Sequence, residues 1–265
     1  MSDEAPAASA PPLRNIKLTL EYDGTRYLGW QAQADGPSIE AELTSALEKA
    51  TQQRLDLIVA GRTDAGVHAM AQVVNFHVAS RIPAWRFAAA LNYYLPPDIS
   101  VHESIEVPLA FDARRDSLSK RYRYRVYRSR QRAALERERA WVLTAATLDA
   151  AAMVRASRCL LGERDFESFR STHCDAAHAV REMFAIDITT TPRPPVGEHV
   201  DIVFHATACC RHRCRVLAGT LLEVGLGKRS EASVQEVLAA RDRKRAGITA
   251  PPEGLTLLEV LYPTT

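Results

Sequence analysis

The sequence predicts an α+β fold of two α/β units, with mixed, mostly antiparallel sheets that share an edge or abut. Three observations predict it. Segments that alternate apolar and polar residues, as half-buried strands do, interleave with segments spaced like amphipathic helices. Both halves of the chain contain this mixture, and no short repeat period runs through them. The unit boundary falls near residues 108–115, dividing an N-terminal unit, 14–110, from a C-terminal unit, 111–265.

Each element has a local reason. Residues 16–22 (IKLTLEY) alternate as a strand, and Asp23-Gly24 ends it with turn chemistry. Ile39, Leu43, Leu47 and Ala50 recur at helical spacing after Ser38, an N-cap candidate. Strands are expected at about 56–60 and 71–78, with a loop between them. Pro83 opens a helix that Pro96-Pro97 stops, and Ile99 to Val107 reads as a strand. In the second unit, strands are expected near 118–128, 180–190, 199–207 and 256–262. Helices are expected over 147–161, from near Arg211, and from near Ser233.

At 265 residues, with 46% hydrophobic and 25% charged positions, the chain has the composition of a soluble globular protein able to bury a sizeable core. No apolar run approaches the roughly 20 residues that span a bilayer, so no membrane association is expected. The opening stretch MSDEAPAASAPP has neither a basic n-region nor an apolar h-region and does not read as a signal peptide. Residues 1–13 read as a disordered tail. Five cysteines in a chain without an export signal point to cytoplasmic free thiols. The net charge is only +2, but 29 of the 34 basic residues are arginine.

Two segments stand out chemically. KRYRYRVYRSRQR, residues 120–132, holds seven basic residues and no acid, interleaved with Tyr122, Tyr124 and Tyr127. On a strand, Arg121, Arg123 and Arg125 line one face and Tyr122 and Tyr124 the other. Arginines for phosphate beside tyrosines for base stacking suit an RNA-binding strand. A sheet with tyrosines in its core and arginines in water fits the same pattern. The second segment, AGRTDAGVHA at 60–69, puts Arg62 and Asp64 on a tight bend between Gly61 and Gly66. Asp64 either caps its own turn or serves as a reactive carboxylate, and the pattern alone leaves both open.

Other chemistries find less support. No P-loop, dinucleotide fingerprint or nucleophile elbow is present. His173, Cys174, His178, Cys209, Cys210, His212 and Cys214 invite a zinc site. The adjacency of Cys209 and Cys210 does not suit a knuckle, so no metal is expected.

Several motifs together resemble the bacterial tRNA pseudouridine synthase A family. They are EYDGTRYLGWQAQ at 21–33, AGRTDAGVHAMAQVVNF at 60–76, FDARRDSLSKRYRYRVY at 111–127, LLGERDFESFR at 160–170, and Arg211 to Gly219. The resemblance runs from about residue 14 to the C-terminus, and its GRTDAGVHA block is highly specific. It implies the pseudouridine synthase fold with an RNA-binding cleft between the two units. The implied activity is isomerisation of uridine to pseudouridine in the tRNA anticodon arm, at positions 38, 39 and 40. It further implies Asp64 as catalytic nucleophile, Tyr122 stacked on the target uracil, and Arg62 at the flipped nucleotide or its vacated space. Arg215 is the implied partner of Asp64. A cytoplasmic homodimer without metal or organic cofactor is implied as well. In the late motif, Cys209 stands where the family has Phe, and Arg213-Cys214-Arg215 where it has Met-Val-Arg. Those departures keep open a second reading, an inactive RNA-binding relative.

Overall fold

The computed structural model describes residues 11–144, 147–171, 178–207 and 212–263. Among them ten strands form one sheet with the order β4-β1-β3-β10-β5-β9-β8-β7; β2 pairs with β3, and β6 with β5. In chain order the strands are β1 (Leu13–Tyr22), β2 (Ile58–Val59), β3 (His68–Ala79), β4 (Ile99–Val107), β5 (Ser119–Ser129), β6 (Trp141–Thr144), β7 (Gly162–Asp165), β8 (Val180–Arg193), β9 (Gly197–Ala206) and β10 (Leu255–Leu261). The α-helices are α1 (Ile39–Thr51), α2 (Phe87–Asn92), α3 (Ala150–Ser157), α4 (Arg213–Gly225) and α5 (Ala232–Ala240).

Local chemistry sets most of these elements. The Ser38 hydroxyl accepts the Ala41 N–H and caps α1, whose Ile39, Leu43, Ala46 and Leu47 are buried. Asp149 caps α3 in the same way through Ala152. Pro83 precedes a short 3₁₀ turn that runs into α2. Leu13, placed in the tail by the sequence, already pairs with Ala79 in β1. Burial alternates along β5, so Tyr122, Tyr124 and Val126 enter the main core. Phe166 and Phe169 are core residues too, both 0% exposed.

The two halves share the sheet through the last strand. β10 runs parallel to β3 through Thr256–His68 and Leu257–Ala69, and antiparallel to β5 through Leu257–Tyr122. The C-terminal strand thus fills the gap between the strand that leaves the 60–67 loop and the tyrosine-bearing strand of the second half. The expectation of two units with shared or abutting sheets resolves here into one continuous sheet.

Leu257 is fully buried at this junction, so Leu257→Ala should cost about 2–5 kcal/mol. Urea unfolding should show that loss as one cooperative transition, because β10 belongs to both halves.

Candidate active site

The 60–67 loop is fastened along its length. Ala60 N–H donates to the Val73 carbonyl at 2.9 Å, Trp30 N–H to the Thr63 carbonyl at 3.0 Å, and Gly66 N–H to the Tyr27 carbonyl at 3.2 Å. Val67 N–H donates back to the Asp64 carbonyl at 3.1 Å and closes the turn. Beneath it the Tyr22 and Thr63 hydroxyls share a hydrogen bond of 2.8 Å. Gln72 Nε2 donates to the Tyr22 oxygen at 3.2 Å and to the Gly61 carbonyl at 2.7 Å. Burial pushes the Tyr22 phenol up to about 12, so this support stays neutral.

The 21–33 motif is the other half of this fastening. Gly29 has φ +99°, and a Cβ there would stand 2.7 Å from the Thr63 carbonyl oxygen and 3.0 Å from Ala65 N. A Cβ on Gly24 would collide with the Val67 carbonyl. These positions let backbone pass directly against the loop. His68 is buried, and burial lowers its pKa, leaving a neutral ring whose Nδ1 accepts the Gly24 N–H at 3.1 Å. The ring thus holds backbone of the 21–33 motif at the start of β3. The two loop glycines divide their work differently. Gly66 has φ +75°. Gly61 does not have a positive φ, and its missing side chain instead makes room for Lys120 and Tyr122.

The second half of the chain meets the tip of this loop. Asp64 Oδ2 lies 3.7 Å from Arg215 Nη1 and 3.5 Å from His212 Nε2. Arg215 belongs to the first turn of α4. Its Nε donates to the Ala250 carbonyl at 2.7 Å, and its own carbonyl accepts Ala250 N–H at 3.1 Å. Burial lowers the Arg215 pKa, and the Asp64 carboxylate pulls the other way. Tyr122 is 8% exposed. Its hydroxyl would lie 3.8 Å from a Cβ on Gly61. Burial, helped by Tyr22 and Asp64, raises its pKa and keeps the phenol neutral. Arg62 is exposed beside them. A carboxylate, a guanidinium and an imidazole thus meet at the loop tip, and the Tyr122 phenol packs against the loop at Gly61.

His212 is the member that the sequence reading did not assign to the site. It stands in the left-handed region, φ 61°, immediately before α4. Its spacing from Arg215, one helical turn, was the available signal. The helix expected from near Arg211 begins at Arg213, and Arg211, like Cys209, Cys210, His173 and Cys174, lies outside the described residues. Arg213, at the family's Met position, is 1% exposed; it stands over the Phe166 ring at 5.2 Å and donates to the Ala179 carbonyl at 3.2 Å. Cys214 is disulfide-bonded, contrary to the free thiol expected there. Among the described residues no group of three His, Cys, Asp or Glu side chains stands together as a metal site.

Arg121, Arg123 and Arg125 do share one face of β5, the face opposite Tyr122. Two of them already hold carboxylates on neighbouring strands: Arg121 bonds Glu259 at 2.9 Å, and Arg125 grips Asp201 through two bonds of 2.8 and 2.7 Å. Arg123 is partly buried between its neighbours. On this face Arg121 and Arg125 thus stand in cross-strand ion pairs rather than as free cations.

A family model described as tRNA pseudouridine synthase matches residues 19–116 and 156–263. The chain belongs to the tRNA pseudouridine synthase family. Curated relatives agree along nearly the whole chain. The tRNA pseudouridine synthase A of Myxococcus xanthus is 49% identical over 247 residues, 93% of this chain and 91% of the relative. That of Geotalea daltonii is 42% identical over 250 residues, 94% of this chain and all of the relative. Among solved structures, a chain of a Cbf5-Nop10-Gar1 complex aligns over 91% of this chain and 48% of its own, at 10% identity and a TM-score of 0.35. The first matched stretch contains Asp64 and the second contains Arg215.

Gly29→Ala forces a side chain into a left-handed position against the Thr63 carbonyl. The variant should fold with a loss of about 1–3 kcal/mol. Its turnover should fall at least tenfold, because the displaced backbone carries Asp64. Thermal unfolding and single-turnover kinetics on the same preparation check both.

Proposed function

We propose that this chain isomerises uridine to pseudouridine in the anticodon arm of tRNA, at positions 38, 39 and 40, with Asp64 as the catalytic nucleophile. Membership of the tRNA pseudouridine synthase family makes it an isomerase acting on tRNA. The observation that carries the finer reading is the meeting of Asp64 and Arg215, from opposite halves of the chain, at the tip of a fastened loop.

The reaction breaks the N1–C1′ bond, forms a C5–C1′ bond, loses the C5 hydrogen to water and leaves a proton on N1. A stacked base hides these atoms, so the nucleotide must leave the stack at a cost of a few kcal/mol. Arg62, exposed on the same loop, is placed to fill the gap or hold a phosphate. Tyr122 offers the uracil a neutral aromatic face, a contact worth about 1–3 kcal/mol per base. Asp64, held beside a guanidinium, presents a carboxylate to the electron-poor centre created as the glycosidic bond opens. Arg215 balances the charge that would otherwise be stranded in a half-buried site.

The proposal includes a homodimer in which one tRNA spans both subunits, and a cytoplasmic setting. No helix among the described residues is long and apolar enough to cross a membrane.

Nucleotide-resolved mapping of pseudouridine in an unmodified tRNA transcript tests the reading. The expected product carries pseudouridine at positions 38–40. Pseudouridine elsewhere contradicts the assigned target, and bound but unmodified tRNA favours the inactive relative. Affinity should also fall more than about tenfold between 50 and 200 mM salt, since phosphate contacts release counterions. A flat salt response contradicts recognition through the RNA backbone.

A further inference from the structure

The strand that carries Tyr122 also brings a cation to the catalytic loop. Lys120 lies two residues earlier on the same face of β5. A Cβ on Gly61 would stand 3.2 Å from Lys120 Cε, so the lysine stem packs along the base of the loop. The residue is only 6% exposed. Its Nζ donates to the Ser117 hydroxyl at 2.9 Å.

The charges around it are unusual for a buried lysine. No carboxylate pairs with Lys120 among the described residues. Arg121, the next residue, is on the other face and engaged by Glu259. Asp112 is taken by the N–H groups of Arg114 and Arg115, and Asp116 by the N–H of Asp112. Burial draws the lysine down to about 8, and the like charge of Arg114 adds to that shift. Arg114 itself is exposed. A buried ammonium that has a like-charged guanidinium for its charged neighbour, and a hydroxyl for its hydrogen bond, costs free energy until an anion arrives.

We propose that Lys120, Ser117 and Arg114 form a phosphodiester-binding site beside the Asp64 loop, holding the RNA backbone phosphate that flanks the extruded nucleotide. The site rests on the tRNA reading above. Its donors suit a phosphodiester: an ammonium for one oxygen and a guanidinium fork for the other, linked through the Ser117 hydroxyl, which accepts from Lys120 Nζ and donates to the Arg114 carbonyl at 3.0 Å. Its position suits the chemistry as well. A nucleotide swung out of the stack drags its own phosphates with it, and a clamp at the base of the loop would fix that bent backbone next to Asp64.

The test compares wild type, Lys120→Met and Lys120→Arg for binding of an unmodified tRNA transcript across a series of salt concentrations. Lys120→Met should weaken binding about tenfold, and its log–log salt slope should be shallower by about 0.7–0.9, one phosphate's worth. Lys120→Arg should keep the wild-type slope. The Tm of Lys120→Met should match or exceed wild type, because no carboxylate among the described residues pairs with the charge removed. An unchanged slope in Lys120→Met overturns the site, whatever happens to turnover. So does a lowered Tm together with a wild-type slope, which marks Lys120 as packing for the loop. Pseudouridine formation by the wild type decides the catalytic reading separately. A wild type that binds tRNA without forming pseudouridine refutes that reading and leaves the slope comparison to judge Lys120.

Discussion

The close approach of the 24–30 backbone to the 60–67 loop is the contact on which the site depends. A bend that carries a carboxylate into a cleft is mobile unless its backbone is held, and loops have few ways to hold themselves. Here Gly29 lets the chain lie against Thr63 and Asp64, while Trp30 and Tyr27 exchange backbone hydrogen bonds with the loop. The buried Tyr22, Thr63 and Gln72 side chains tie its underside. With its backbone fixed at this many points, the loop presents Asp64 in one place. Positioning of that kind contributes to rate without any further chemistry.

A held carboxylate still needs the second half of the molecule, and β10 delivers it. Ala250 hydrogen-bonds Arg215, and Pro251, next along the chain, accepts the Tyr124 hydroxyl at 2.8 Å. The chain then enters β10, between β3 and β5. Loop exit, arginine anchor and tyrosine strand are therefore linked by consecutive backbone contacts. The site lies at the seam of the two halves.

Much of this was legible in the sequence because it is local. Ile99–Val107 forms the strand its alternation predicts, and Ser38 caps the helix it precedes. Asp64 and Arg215, quoted from two separate motifs, face one another at 3.7 Å. What escaped depends on contacts distant in sequence. β6 and β7 span four residues each, too short for periodicity to register, and exist because β5 and β8 offer them an edge. Arg121 and Arg125 looked free because Glu259 and Asp201 lie 138 and 76 residues away in the chain. Lys120 drew no notice among six arginines, although its even-numbered place on β5 turns it towards the loop. His212 was passed over because only the fold puts it against a carboxylate in the other half.

Tritium release from tRNA labelled at uridine C5, run beside tRNA binding for wild type and Asp64→Asn, tests the central claim most directly. Formation of the C5–C1′ bond expels that hydrogen to water, and binding alone does not. The geometry predicts release by wild type, none by Asp64→Asn, and an affinity for tRNA changed by less than about threefold. Release by both proteins, or equal loss of binding and release in the variant, would contradict it, because Asp64 would then be holding the loop rather than acting on the uridine.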